Sequence, residues 1–158
     1  MNGQVAVPFE RAFNGGMRNL IASILLAAAG CAQTAPSVDV KGSDVDVGLL
    51  AGKWEGTYQG KESGRSGTIL FDLYAGNRIA EGKVMMNGAQ PLAIKFVEVA
   101  GKNLDGTLEP YLDPSCNCNV ETRFTGRRRG QVLEGTFTTT PVGTTQQQGG
   151  TWTVTRKP

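Results

Sequence analysis

One four-residue pattern constrains the fold of this chain of 158 residues more than any other feature. It consists of an acidic residue, a glycine, a polar residue and an apolar residue. The four copies are Glu55-Gly56-Thr57-Tyr58, Glu81-Gly82-Lys83-Val84, Asp105-Gly106-Thr107-Leu108 and Glu134-Gly135-Thr136-Phe137. Successive copies lie 26, 24 and 29 residues apart, which is about the length of two strands and two turns. The pattern therefore predicts four hairpins, with one copy on the first strand of each.

The second strand of each hairpin is expected to lie between clusters of turn-forming residues. These strands are predicted near 68–74, 92–99, 118–124 and 151–156. The 22 glycines and the scarcity of helix-forming residues after residue 50 also favour strands and tight turns. The predicted fold is all-β, an eight-stranded antiparallel up-and-down β-barrel built from four hairpin repeats. A flattened sandwich with the same strand count is the structural alternative.

Alternation with a period of two assigns the faces of these strands, because successive side chains point to opposite sides. Apolar residues collect on one face and most charged residues on the other, as expected for an antiparallel sheet in water. The recurrent glycines on the apolar face are expected to allow tight coiling and to leave room inside. The apolar face is predicted to hold Trp54, Gly56, Tyr58, Ile69, Phe71, Leu73, Ala80, Gly82, Val84, Met86, Ile94, Phe96, Leu104, Gly106, Leu108, Cys118, Val120, Phe124, Leu133, Gly135, Phe137, Trp152 and Val154.

A mostly apolar segment at 20–30 follows Met17 and Arg18 and ends immediately before Cys31. The segment has eleven residues, whereas a membrane-spanning helix needs about 20. It resembles a bacterial lipoprotein signal, in which the leader is removed and acyl chains are attached to the cysteine. The resemblance implies a signal peptide at 1–30, with Met17 as an alternative start, and a lipid anchor at Cys31. Ala32 implies delivery to the outer membrane, facing the periplasm.

The residues between the anchor and the barrel are predicted to form a flexible tether at 31–48, followed by the barrel domain at 49–158. Proline, glycine, serine and aspartate in this stretch are typical of a solvated linker. Valines at 38, 40, 45 and 47 alternate, however, so an additional short strand is the second interpretation.

Gly52, Lys53 and Trp54, together with the ending at 152–156, resemble the calycin barrels, which comprise lipocalins, fatty-acid-binding proteins and avidins. In lipocalins a Gly-x-Trp lies on the first strand, and a basic residue of the last strand lies across that tryptophan. The resemblance implies that Arg156 contacts the Trp54 ring and that the first and last strands close the barrel. The lipocalin Thr-Asp-Tyr loop and C-terminal helix are missing, so the resemblance bears on fold more than on ligand.

Histidine is absent from the chain, which removes the usual general base near neutral pH and the commonest metal ligand. No inward pair of carboxylates has a spacing that suggests acid and base catalysis. We therefore expect no enzyme activity, no catalytic residues, no metal and no cofactor. Of 16 basic and 14 acidic residues, removal of Glu10, Arg11 and Arg18 with the leader leaves 14 and 13. This balanced charge does not indicate nucleic-acid binding.

Two further features have open interpretations. Cys116 and Cys118 are the thiols that remain beside an acylated Cys31, and they form a disulfide, stay free, or serve metal binding or redox exchange. The run 127–129 consists of three arginines near a predicted hairpin tip. It is either a solvated turn or a docking site for an anionic surface.

The favoured function is a cell-envelope binding module that takes a small apolar or amphipathic ligand inside the barrel. The alternative is a non-enzymatic structural or protein-interaction lipoprotein with a packed barrel, whose protein partners the sequence does not identify. An internal cavity favours the first function and a solid interior the second. The candidate ligand-binding residues are Trp54, Tyr58, Phe71, Met86, Phe96, Phe124, Phe137, Trp152 and Arg156.

Overall fold

A computed structural model describes residues 37–74, 79–86 and 90–158. The predicted signal peptide, the anchor at Cys31 and the first residues of the predicted tether lie outside this part of the chain. The described residues are almost entirely β-structure, with one short helix. Within them, no helix has the length and apolar character needed to cross a membrane.

Ten strands and one helix follow each other along the described chain. They are β1 (Ser37–Lys41), α1 (Asp44–Leu50), β2 (Gly52–Gly60), β3 (Ser66–Tyr74), β4 (Ile79–Met86), β5 (Leu92–Ala100), β6 (Asn103–Leu108), β7 (Tyr111–Asp113), β8 (Cys118–Arg129), β9 (Val132–Pro141) and β10 (Gln148–Arg156). The four copies of the sequence pattern lie on β2, β4, β6 and β9, and the predicted second strands match β3, β5, β8 and β10.

The strands close into a barrel. β2 pairs with β3 on one side and with β10 on the other, and β8 pairs with both β6 and β9. The ring runs β6-β5-β1-β4-β3-β2-β10-β9-β8 and returns from β8 to β6, so it has nine strands rather than the predicted eight. β7 pairs with β8 outside the ring. Closure removes the sheet edges that would otherwise pair with other chains.

The ninth strand is β1, which contradicts the tether prediction for the residues from 37 onward. Among the described residues, β4 and β5 pair directly at two positions, Lys83 with Ala93 and Val84 with Leu92. Farther along, β1 lies between them, antiparallel to β4 and parallel to β5. Val38 and Val40 are buried there, so the interpretation of these valines as a short strand is the correct one. The free energy gained by burying both apolar side chains favours a strand here, although the residues around them are polar and turn-forming.

Helix α1 covers the end of the barrel at which β2 begins. Its first turn is capped by Ser43, whose hydroxyl oxygen accepts the backbone N–H of Asp46 at 3.1 Å. The valine alternation therefore ends before the helix. Val47 is buried whereas Val45 is 73% exposed.

The predicted inward face is largely the observed core, with exceptions on β5 and at Cys118, which begins β8 and forms a disulfide with Cys116 outside the core. The register shifts between Ile94 and Phe96, which marks a β-bulge. Beyond the bulge Val97 and Val99 are buried, although simple alternation placed them outside. A bulge adds one residue to a strand and so reverses the phase of every later side chain. The side chain of Phe96, a candidate ligand-binding residue, lies outside the described part of the structure.

Aromatic rings pack directly against two of the inward-facing glycines, so these positions do not leave empty space. A methyl group at Gly150 would lie 2.3 Å from the Phe137 ring, and one at Gly126 would lie 2.3 Å from the Trp152 ring. Both distances are too short for a real side chain. The space over these two glycines is therefore filled by rings from other strands. Among the repeat glycines that were predicted to leave room, Gly82 is also packed by a ring, since a methyl group there would lie 3.0 Å from Phe71.

Candidate functional site

The barrel encloses a cavity of about 100 Å³. Its walls are mainly aliphatic and aromatic side chains, and its polar residues lie toward one end. Seven of the candidate ligand-binding residues line it, namely Trp54, Tyr58, Phe71, Met86, Phe124, Phe137 and Trp152. The cavity therefore unites most of the side chains that the sequence pattern selected.

The end covered by α1, here called the closed end, is sealed around Trp54. This side chain is 1% exposed, and its indole N–H donates a hydrogen bond to the carbonyl oxygen of Leu50 at 2.7 Å. The guanidinium carbon of Arg156 lies 5.0 Å from the Trp54 ring centroid. Arg156 also donates to the carbonyl oxygens of Leu49, at 3.0 Å, and of Ala51. These contacts connect the end of the helix to β2, which carries Trp54, and to β10, which carries Arg156.

Arg156 was a candidate ligand-binding residue, but it does not line the cavity. Alternation placed it on the same face as Trp152, and that assignment ignored the position of Arg156 at the very end of β10. There its long side chain reaches the carbonyl groups beside α1 instead of the interior. Its contact with Trp54 is the one that the calycin resemblance implied.

Two edge-to-face aromatic pairs form part of the cavity wall. The ring centroids of Tyr58 and Phe137 are 5.8 Å apart, and those of Phe124 and Trp152 are 6.0 Å apart. Such pairs contribute about 0.5–1.5 kcal/mol beyond the burial of their area. The Trp152 indole N–H also donates to the carbonyl oxygens of Thr125 and Thr136, at 3.1 and 3.2 Å. The rings are therefore held in place by contacts on several strands.

The opposite end, here called the open end, carries an ion pair between Arg65 and Asp113. Arg65 lies in the turn between β2 and β3, and Asp113 is the last residue of β7. The Asp113 side chain is only 3% exposed, and its second oxygen accepts the backbone N–H and the hydroxyl of Ser115, each at 2.8 Å. Arg65 donates in addition to Gln148 Oε1 at 3.2 Å. These contacts link the turn between β2 and β3 to the end of β7 and to the start of β10.

These contacts set the charge state of Asp113. Burial by itself would raise the pKa of the carboxyl group, but the Ser115 hydrogen bonds and the Arg65 guanidinium outweigh burial. The net result is a pKa below the usual range. Asp113 is therefore a carboxylate at neutral pH, and it neutralises the cation of Arg65.

Neutral hydroxyl groups complete the polar end of the cavity. Thr122 and Thr139 form a hydrogen bond with each other at 2.8 Å between their Oγ1 atoms. The Tyr58 hydroxyl oxygen is buried and has no hydrogen-bond partner among the described residues. Burial, and to a smaller degree Tyr111, raises the pKa of Tyr58, so its hydroxyl stays protonated at neutral pH.

Sequence reasoning missed most of the polar end. Thr122 and Thr139 occupy inward positions in the same phase as Phe124 and Phe137, so alternation could have found them. Asp113 precedes a proline and a serine, a turn-forming signal but not a signal of ion pairing. Nothing local marks Arg65, because its partner is 48 residues away in the sequence.

The other two sequence features lie outside the cavity. Cys116 and Cys118 are joined by a disulfide that links the turn after β7 to the first residue of β8. The arginine run ends β8, just before a turn at Gly130. Arg129 pairs with Glu134 at 2.7 Å, and both side chains are largely exposed. Docking of this run to an anionic surface stays a prediction.

Neither a protein-family model nor a curated protein matches this chain.

Proposed function

We propose that this chain is a non-enzymatic cell-envelope lipoprotein with a calycin-like barrel that binds a small apolar or amphipathic ligand. The observation that carries the proposal is the cavity of about 100 Å³, with apolar walls and one polar end. Ligand sites are characteristically concave and mostly apolar, with a few polar groups that fix orientation. An apolar cavity of about 150 Å³ is known to accept benzene, so this cavity suits a short or narrow group.

A titration tests the binding proposal, with toluene as the probe and the fluorescence of Trp54 and Trp152 as the readout. Both tryptophans line the cavity, so occupation should change their emission in a saturable way. Val84→Phe adds bulk to the wall and should weaken toluene binding at least about tenfold. Val45→Phe makes the same change on the exposed face of α1 and should leave binding unaltered. Absence of saturable binding to the folded wild type would refute the proposal.

The proposed location is the outer membrane, with the barrel facing the periplasm and held through acyl chains on Cys31. The lipoprotein-like leader supports it, since each buried methylene of an acyl chain contributes about 0.8 kcal/mol to membrane affinity. In the native host, labelled fatty acid should be incorporated into the wild type and not into Cys31→Ser. Replacing Cys116 and Cys118 by serine is the matched control and should leave labelling intact. Labelling of Cys31→Ser would contradict the anchor.

A packed scaffold is the second candidate. The observation that favours it is the filling of the space over Gly126 and Gly150 by aromatic rings, which leaves a small cavity. A scaffold would act through its loops and outer face. The toluene titration separates the two candidates, because a scaffold requires no saturable internal site.

A further inference from the structure

We propose that the ligand presents an uncharged hydroxyl or carbonyl group to Tyr58 and that the cavity discriminates against carboxylates. This inference deepens the proposed binding function and rests on it. It follows from the pairing of the charged and polar groups at the open end.

The cavity has a cation in its wall, but that cation is already neutralised. Among the described residues that line the cavity, Arg65 alone carries a charge. Its partner Asp113 is nearly inaccessible and is itself fixed by two hydrogen bonds from Ser115. A ligand carboxylate would either displace Asp113 from Arg65, which leaves a buried carboxylate without its counter-ion, or replace Gln148, which places two carboxylates beside one cation. Breaking a buried pair in this way is strongly unfavourable.

The uncharged polar side chains at the open end favour an uncharged polar group on the ligand. The hydrogen bond between Thr122 and Thr139 gives each of these two hydroxyl oxygens a partner, and the side-chain oxygen of Gln148 accepts from Arg65. Tyr58 differs, since its buried hydroxyl has no partner in the described part of the chain. A buried donor without an acceptor is costly, and a ligand oxygen that accepts this proton removes the cost. Because the Tyr58 hydroxyl is held protonated, a neutral acceptor is sufficient.

The volume is smaller than that of the cavity of about 150 Å³ that accepts benzene, so it encloses about four carbon atoms of a ligand, and the rest of the ligand lies toward the open end. 1-Hexanol, hexanoate and toluene are therefore suitable probes. The first two share a chain and differ in head group, while toluene has no polar head. Their affinities for the full-length protein can be compared by isothermal titration calorimetry at neutral pH.

We expect 1-hexanol to bind at least about tenfold more tightly than hexanoate. Tyr58→Phe should lower the affinity for 1-hexanol about fivefold relative to the affinity for toluene, which is the effect of one hydrogen bond. Equal binding of hexanoate and 1-hexanol would overturn the inference while leaving the binding function intact. An equal loss of 1-hexanol and toluene affinity in Tyr58→Phe would also overturn it. Failure of all three probes to bind would defeat the proposed function itself.

A gain of binding provides the second test. Asp113→Asn removes the charge that neutralises Arg65, so hexanoate affinity should rise about fivefold. Glu134→Gln is the matched control, because it removes one carboxylate from an arginine pair on the outer surface. It should leave hexanoate affinity unchanged. If hexanoate gains nothing in a folded Asp113→Asn protein, or gains equally in both variants, Arg65 is not the basis of discrimination and the inference fails.

Discussion

The two ends of the barrel use arginine differently. At the closed end Arg156 donates to backbone carbonyl groups and lies over the Trp54 ring. These contacts join β10 to the end of α1 and to β2. At the open end Arg65 binds the side chains of Asp113, at the end of β7, and Gln148, at the start of β10. The backbone partners of Arg156 stabilise the fold. The side-chain partners of Arg65 neutralise its charge at the cavity wall and leave that end of the barrel open. The comparison separates a structural end from an end suited to a ligand.

The largest expected effect is on the closed end. Trp54→Ala should lower the free energy of unfolding by about 3–5 kcal/mol, because it removes a fully buried ring. The hydrogen bond to Leu50 and the contact with Arg156 are lost as well. Urea unfolding measures the change. Tyr58→Phe at the open end is the comparison and should cost nothing or stabilise slightly, since it removes an unpaired hydroxyl. Similar losses in both variants would erase the distinction between the two ends.

Gly150 tests how the rings are seated near the open end. Gly150→Ala places a methyl group 2.3 Å from the Phe137 ring and should cost about 1–3 kcal/mol by overpacking. At the adjacent Gly149 a methyl group would lie 3.6 Å from its nearest neighbour, the Phe137 carbonyl oxygen. Gly149→Ala should therefore change stability by less than about 0.5 kcal/mol. If Gly150→Ala left the stability in thermal unfolding unchanged, the position of the Phe137 ring would not depend on the absence of a side chain at residue 150.

The Asp113 pair predicts a dependence of stability on pH. A lowered pKa in the folded state stabilises the fold above the unfolded pKa of about 3.9. This stabilisation is lost as pH falls through the folded pKa. Asp113→Asn should therefore be less stable than wild type by about 1–3 kcal/mol at neutral pH, and the difference should shrink below about pH 4. Urea unfolding across this range would contradict the account if the difference stayed constant.

The disulfide has the smallest expected effect. It closes a ring of three residues, and short rings restrict the unfolded chain little. Replacing Cys116 and Cys118 by serine should lower the free energy of unfolding by about 1–2 kcal/mol. Toluene binding should be unchanged, because neither cysteine lines the cavity. A large loss of toluene binding in this folded variant would show that the turn after β7 helps to shape the open end.

Much of the fold was predictable because it is periodic. The repeat predicted β2, β4, β6 and β9 as the first strands of hairpins. Alternation selected the aromatic residues of the cavity wall except Tyr111, which lies on the short strand β7. The alternating valines gave β1 as an alternative interpretation, but its insertion into the ring was not predictable, because β1 is used only where β4 and β5 separate. That separation depends on the whole ring. The bulge on β5 likewise leaves no local mark, yet it determines that Val97 and Val99 are inside.

The polar end of the cavity was less predictable, for a related reason. Arg65 lies in a connection and Asp113 at the end of a short strand, and sequence patterns at such positions predict turns but not which of them meet. Barrel closure brings them together, so their pairing follows from the three-dimensional fold. The exposed repeat acids, by contrast, have outward positions that alternation gave directly. Examples are Glu55, paired with Lys157 at 3.2 Å, and Glu134.

The most direct test of the account is to locate bound toluene in the full-length protein by intermolecular nuclear Overhauser effects. The account predicts contacts from toluene protons to the methyl groups of Ile69, Ile94 and Leu104, which line the cavity. Contacts confined to exposed apolar side chains such as Val45 and Leu112 would contradict it.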